Sequence, residues 1–135
     1  MRTYADTSFL YALIDDGDPG HERAAAAYRE YRGDIMLSSY VFAETISLIT
    51  KRFGKSWAIT VGESIRNSKR TAVLQPTAGE FEAAWDLFRE RHDSGFDLVD
   101  ALSFQMMPAH GLASALSIDG HFAQMGFSVQ PGAQE

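Results

Sequence analysis

Four acidic residues lie among apolar neighbours, with almost no Lys or Arg nearby to pair with them. They are Asp6, Glu44, Asp100 and Asp119. Burying a lone carboxylate costs several kcal/mol unless it is paired, protonated or bound to a metal. Two carboxylates about 4 Å apart also repel each other by roughly 4 kcal/mol at an effective dielectric of 20. If the fold brings these acids together, they require cations or protons, and a divalent cation is the simplest solution.

The residue types available as ligands indicate which cation this would be. The chain has no Cys, and its four His residues lack the i,i+4 spacing of a helical metal pair. Among them His121 stands beside Asp119. Ligation by oxygen atoms alone favours Mg²⁺ or Mn²⁺ over zinc. Metals of this kind commonly assist chemistry on phosphate groups.

Length and composition predict one α/β domain over residues 1–131, followed by a short tail, 132–135. The absence of Cys suits a reducing compartment, and neither a signal peptide nor a membrane-spanning run is present. We therefore expect a cytoplasmic protein that does not associate with membranes. The net charge of -6 argues against a protein that coats nucleic acid. It does not exclude nucleic acid, because the surface is nearly neutral once metal offsets the four acids.

Basic residues form two groups that permit two interpretations. They contact phosphates, or they are solvated residues near helix C-termini, where positive charge is favourable. The groups are Lys51, Arg52 and Lys55, and Arg66, Lys69 and Arg70.

Short apolar runs alternate with helical patterns along the whole chain. Strands are predicted at about 2–5, 35–37, 71–74, 115–118 and 127–129. Helices are predicted at about 7–15, 19–32, 39–53, 56–67, 78–92, 98–109 and 121–125. Thr77 and Glu80 form a capping-box pattern. This alternation predicts a three-layer α/β/α fold around a mainly parallel sheet of four to five strands, in which ligands bind at the carboxyl ends of the strands.

Each acid also has a structural interpretation. Asp6 and Asp119 directly follow predicted strands, where Asp is a common helix N-cap as well as a site residue. Glu44 lies inside a helix and shares a face with Val41 and Leu48, although it could be a side chain at the margin of that face.

Asp97 complicates the choice of ligands, because it precedes Asp100 by three residues at a helix start. We favour Asp97 as the cap and Asp100 as the ligand, since Asp100 is enclosed by apolar residues. Asp97 remains an alternative ligand.

Four segments, in this order, resemble the PIN-domain ribonucleases of the VapC toxin type. They are Tyr4-Ala5-Asp6-Thr7-Ser8, the helical pair Ala43-Glu44, the segment 98–104 and the segment 117–122. Together they span nearly the whole chain. Each motif is weak alone, but four in order form a fairly specific signal.

The resemblance implies a Mg²⁺- or Mn²⁺-dependent endoribonuclease that is the toxin of a toxin–antitoxin pair. It implies that Asp6 and Asp100 are the principal metal ligands and that Glu44 and Asp119 complete or tune the site. Ser8 would steady the Asp6 loop. The implied partners are RNA and an antitoxin whose peptide covers the acidic site, with an Arg as one possible contact.

Two other function classes compete with this interpretation. A receiver-like phosphoryl acceptor is disfavoured, because the Asp15-Asp16 pair follows a helix and no acid ends the strand at 71–74. A catalytically silent module that binds RNA or protein is disfavoured because the acid set is intact. In addition, the apolar content of 40–53 and 57–65 predicts a homodimer.

Overall fold

The computed structural model describes residues 1–133, which form five strands and seven helices. The strands are β1 (Arg2–Ala5), β2 (Asp34–Ser38), β3 (Thr71–Leu74), β4 (Ser114–Ser117) and β5 (Ser128–Pro131). The helices are α1 (Thr7–Ile14), α2 (His21–Glu30), α3 (Ser39–Phe53), α4 (Lys55–Asn67), α5 (Ala78–Glu90), α6 (Leu98–Ala109) and α7 (His121–Gln124). None of these helices is long and apolar enough to cross a membrane.

The five strands form one parallel sheet in the order β3-β2-β1-β4-β5. This confirms the predicted α/β architecture. Strand β1 is central, and the chain builds the sheet first on one side of β1 and then on the other. The order therefore reverses between β1 and β4. In parallel sheets, a crevice for ligands opens at such a reversal, beyond the carboxyl ends of the strands.

Aromatic packing holds α6 and α7 against the sheet. The ring of Phe104 lies 4.8 Å from that of Phe122 and 5.3 Å from that of Phe96. The ring of Phe122 in turn lies 6.2 Å from that of Tyr4 in β1. All four side chains are buried. This cluster supports the start of α6, which carries Asp100.

The buried face of α3 differs from the predicted one. The helix buries Val41, Thr45 and Ile49 at four-residue intervals, whereas Leu48 is 38% exposed. The expectation that Glu44 and Leu48 share the buried face with Val41 is therefore wrong for Leu48. Ile49 packs in an apolar cluster with residues of α4, and this contact sets the rotation of α3.

Several helix ends follow from side-chain chemistry in the sequence. Thr77 and Glu80 form the predicted capping box at the start of α5. Ser38 accepts a hydrogen bond from the backbone N–H of Val41 and so caps α3. Gly54 ends α3 with a φ of 95°, a conformation that favours glycine.

The end of the described chain lies against the sheet and α2. The backbone N–H of Gly132 donates to the carbonyl of Ser117 at 3.0 Å, and Arg23 donates to the carbonyl of Gly132. The predicted tail, 132–135, is thus anchored at its first residue, while Gln134 and Glu135 lie outside the described residues.

Candidate active site

Asp6 lies at the carboxyl end of β1 and is only 2% exposed. Its Oδ1 accepts hydrogen bonds from Ser8 Oγ at 2.8 Å and from the backbone N–H of Phe9 at 2.9 Å, so it caps α1. Its Oδ2 accepts a hydrogen bond from Ser117 Oγ at 2.6 Å. Asp6 is therefore an N-cap, as one interpretation predicted, and it is buried at the carboxyl end of the central strand; its role as a site residue stays a prediction.

Burial raises the pKa of Asp6 from 3.8 to about 7. The Ser117 hydrogen bond opposes this rise, the negative charge of Asp119 adds to it, and the donors Phe9 and Ser8 oppose it again. Between residues 1 and 133, no Lys or Arg forms an ion pair with Asp6. A cation placed beside Asp6 would therefore favour its ionised form near neutral pH.

Ser117 is a site residue that the sequence motifs did not single out. It ends β4, is fully buried and lies 3.4 Å from Asp119 Oδ1 in addition to its bond to Asp6. Ser8 completes this group, because its Oγ also accepts from the backbone N–H of Ile118 at 3.1 Å. The only signal in the sequence was the position of Ser117 at the end of a strand, two residues before Asp119.

Asp119 and Asp100 meet at the side chain of His121. The Nδ1 atom of His121 lies 3.3 Å from Asp100 Oδ2 and 3.6 Å from Asp119 Oδ1. This nitrogen is buried, and neither contact has the geometry of a hydrogen bond. The backbone N–H of His121 donates to Asp119 Oδ1 at 3.0 Å. The loop after β4 and the start of α6 therefore bring two of the candidate acids and this imidazole together.

Asp97 and Asp100 form a reciprocal capping box at the start of α6. Asp97 Oδ1 accepts from the backbone N–H of Asp100 at 2.9 Å, and Asp100 Oδ2 accepts from the backbone N–H of Asp97 at 3.3 Å. Burial raises the pKa of Asp100, and the charges of Asp97 and Asp119 raise it further. The geometry thus makes Asp97 the cap, while Asp100 lies against Asp119 and His121.

Glu44 lies half-buried near the middle of α3. In the described part of the chain, no hydrogen bond or ion pair links its carboxylate to Asp6, Asp100 or Asp119. Its place in the site stays a prediction.

The chemistry of the donor set fits a divalent cation, although the side chains do not form a closed ligand cage. Asp6, Asp100 and Asp119 supply only oxygen atoms, and the charge of Asp119 contributes to the raised pKa of both Asp6 and Asp100. Within residues 1–133, no three His, Asp or Glu side chains are spaced to hold an ion directly. Binding therefore requires either side-chain rotation or intervening water, which Mg²⁺ usually retains.

The pH dependence of unfolding tests the burial of Asp6. Between its ordinary pKa of 3.8 and its folded value of about 7, the folded chain holds a proton that the unfolded chain has lost. Stability from this proton is present below the unfolded pKa and is lost as pH rises through the folded pKa. In EDTA, we expect the unfolding free energy to fall by several kcal/mol from pH 4 to 7, relative to Asp6→Asn.

Urea denaturation at each pH measures this difference. Added Mg²⁺ should reduce the fall, because it favours the ionised carboxylate. The variant Asp93→Asn, which alters a side chain that is 96% exposed, should match the wild type. Parallel pH profiles for the wild type and Asp6→Asn would contradict the raised pKa.

Comparisons with known proteins agree with this fold. A family model described as the PIN domain matches residues 3–128. The 23S rRNA-specific endonuclease VapC20 of Mycobacterium tuberculosis is 33% identical over 129 residues, which cover 95% of this chain and 98% of VapC20. The crystal structure of VapC20, described as a sarcin–ricin loop cleaving toxin, superposes with a TM-score of 0.87 at 32% identity, covering 96% of this chain and 99% of that one.

A more distant structure shares the fold alone. A chain in a toxin–antitoxin complex from Klebsiella pneumoniae is 16% identical, with a TM-score of 0.70, covering 98% of this chain and 99% of that one. The family model and the similarity to VapC20 each extend over nearly the whole sequence. The chain therefore belongs to the PIN-domain family and, within it, to the VapC-type endoribonucleases.

Proposed function

We propose that this endoribonuclease uses Mg²⁺ or Mn²⁺ held by Asp6 and Asp100, with Asp119 and Glu44 completing or tuning the site. One observation carries the proposal. Two carboxylates from different elements, both with raised pKa values, lie at the reversal point of the sheet, and neither has a Lys or Arg partner among the described residues. A bound cation would lower the pKa of an attacking water and offset the charge of the phosphodiester.

The protein's own contribution is to hold and orient the carboxylates. Three hydrogen bonds hold the Asp6 carboxylate in place; their donors are Ser8 Oγ, Ser117 Oγ and the backbone N–H of Phe9. The capping box at the start of α6 fixes the backbone of Asp100. Asp119 is held by the backbone N–H of His121, so its free oxygen can face water or substrate.

The substrate we propose to test first is 23S rRNA. VapC20, the relative with 33% identity, is named as specific for that RNA. A ribosomal target would also place the enzyme in the cytoplasm. Primer extension on total RNA after brief expression maps the cleaved positions, and cuts confined to other RNAs would overturn this assignment.

Substitution of the two principal ligands tests the metal-dependent mechanism. We expect Asp6→Asn and Asp100→Asn each to lower the RNA cleavage rate by more than about a hundredfold. Removal of a group that only supports a metal ligand already lowers metal affinity or activity about 10- to 100-fold. Chelation with EDTA should abolish cleavage, and either cation should restore it. The assay compares these variants with Asp93→Asn, which should cleave at the wild-type rate. Full activity in EDTA, or in both site variants, would exclude the mechanism.

We further propose that α3 and α4 form a homodimer interface. They expose a group of large apolar side chains: Tyr40, Leu48, Phe53, Trp57 and Ile59. A groove between the helices is lined by Phe42, Ile46 and Ile59, and at its edge Gly62 leaves room beside Ile46. Lys55, Arg66 and Glu63 also line the groove. Charges of both signs suit a surface that pairs with its own copy.

The dimer is tested by placing a charge in this groove. Ile59 is 54% exposed, so Ile59→Glu should not disturb folding but should convert the dimer to a monomer, because the new carboxylate would lose its hydration in the interface and would lie one helical turn from Glu63. Ala123→Glu, at an exposed position on α7, an element that packs on α6 and β5, should leave the dimer intact. Sedimentation velocity at tens of micromolar distinguishes the states. A monomeric wild type would refute the interface.

An antitoxin is the second protein partner that we propose. The Klebsiella pneumoniae chain that shares this fold belongs to a toxin–antitoxin complex. The chain has a net charge of -6, and its candidate site is acidic. Both features suit a partner segment that brings a basic side chain to Asp6 and Asp100.

Growth during expression tests the antitoxin. We expect wild type to arrest growth and Asp6→Asn not to. A genomic library from the source organism should yield a clone that relieves the arrest and whose product co-purifies with Asp6→Asn. Relief only by clones that lower the amount of the toxin would argue against a binding antitoxin.

A further inference from the structure

A fully buried hydroxyl lies beneath the acidic site. Tyr4 stands in β1, two residues before Asp6, so both side chains leave the strand on the same face. The Tyr4 Oη is 2.6 Å from the Oγ of Ser103, which is also fully buried. Ser103 follows Asp100 by three residues in α6, and residues with this spacing share a helix face. The contact therefore joins the two elements that carry Asp6 and Asp100.

The hydroxyl pair has further polar neighbours. Either hydroxyl can donate in the Tyr4–Ser103 bond, and Ser103 Oγ also lies 3.1 Å from the carbonyl of Val99, one turn earlier in α6. Ser38, the cap of α3, lies beside the same tyrosine hydroxyl. Three elements that bear candidate acids thus meet at one polar atom.

Little else of a directional kind ties β1 to α6. In the described chain, the other hydrogen bond from a β1 side chain towards α6 runs from Arg2 to the carbonyl of His110. It lies just past the far end of the helix and is exposed to solvent. The remaining support comes from apolar rings, including Phe122 beside Tyr4. Apolar contact favours burial but is not directional, whereas a buried hydrogen bond fixes a distance.

We propose that Tyr4 and Ser103 are positioning residues for the metal: their hydrogen bond sets the separation of Asp6 and Asp100. This inference rests on the proposed function, since it takes these two acids to be the ligands. Asp119 repels both carboxylates, so without the bond this repulsion would shift α6 relative to β1 and widen the site. The expected consequence is weaker cation binding with little change in the reaction once the cation is bound.

The chain contains a matched control in the same strand. Thr3, beside Tyr4, is 3% exposed, and its Oγ1 lies 3.0 Å from Ser114 Oγ at the start of β4. This hydroxyl pair also involves β1, but it is only partly buried, points to the opposite face and reaches neither α6 nor an acid. Thr3→Val removes one hydroxyl from the Thr3–Ser114 pair, and Tyr4→Phe removes one from the Tyr4–Ser103 pair. Both substitutions keep the shape of the side chain.

The test measures Mn²⁺ affinity by titration calorimetry on the full chain and RNA cleavage over a range of Mn²⁺ concentrations. We expect Tyr4→Phe and Ser103→Ala each to weaken Mn²⁺ binding roughly tenfold, the size of effect seen for groups that orient ligands. The cleavage rate at saturating Mn²⁺ should stay near that of wild type. The double variant should be no weaker than either single variant, because both remove the same bond.

Thr3→Val should lower stability to a similar degree while leaving Mn²⁺ affinity unchanged. Unchanged affinity in Tyr4→Phe, equal loss in Thr3→Val, or additive losses in the double variant would each overturn the proposal. Asp6→Asn separates this failure from failure of the proposed function. If Asp6→Asn binds Mn²⁺ like wild type, the metal site itself is wrong. If it loses binding while Tyr4→Phe does not, only the positioning role is wrong.

Discussion

The unfavourable burial of Asp6 is the interaction on which the rest of the site depends. Its carboxylate is 2% exposed and accepts three hydrogen bonds, which is strong support for the ionised form. Burial nevertheless holds its pKa at about 7, and the charge of Asp119 contributes to that shift. At neutral pH the protonated and ionised forms therefore have similar free energies, and a nearby positive charge decides which one prevails. A divalent cation that binds this carboxylate would displace a proton, so its affinity should rise with pH.

The fold concentrates negative charge where backbone dipoles can partly stabilise it. Two helices, α1 and α6, begin at the acidic site, and Asp6 and Asp97 are their N-caps. A helix N-terminus favours a nearby anion by about 0.3–1 kcal/mol when exposed, and by more when partly buried. This is too little to offset the burial of several carboxylates. The backbone therefore reduces the repulsion without removing it, and a cation supplies the remainder.

Sequence patterns predicted the elements and the location of Asp6, Asp100 and Asp119, because each acid is adjacent to an element boundary with clear chemistry. The strand ends and the capping box at Asp97 are local features, readable from a few residues. The rotation of α3 was not readable, since apolar residues lie both seven and eight positions after Val41, at Leu48 and Ile49. Packing of Ile49 against α4 decided it. Ser117 was missed for a related reason: a serine at the end of a strand carries no periodic signal, and its role depends on Asp6, which is distant in sequence.

The difference between directional hydrogen bonds and non-directional apolar contacts explains why the junction of β1 and α6 contains hydroxyl groups as well as aromatic rings. Replacing a buried polar pair with apolar groups is often neutral for stability, so Tyr4 and Ser103 are not needed to hold the core together. A core of rings alone, such as Phe104 and Phe122, permits small sliding of α6 with modest energetic change. Mg²⁺ demands near-ideal geometry and tolerates such sliding poorly. The hydroxyl pair supplies the one property that hydrophobic packing lacks, a defined distance between the strand carrying Asp6 and the helix carrying Asp100.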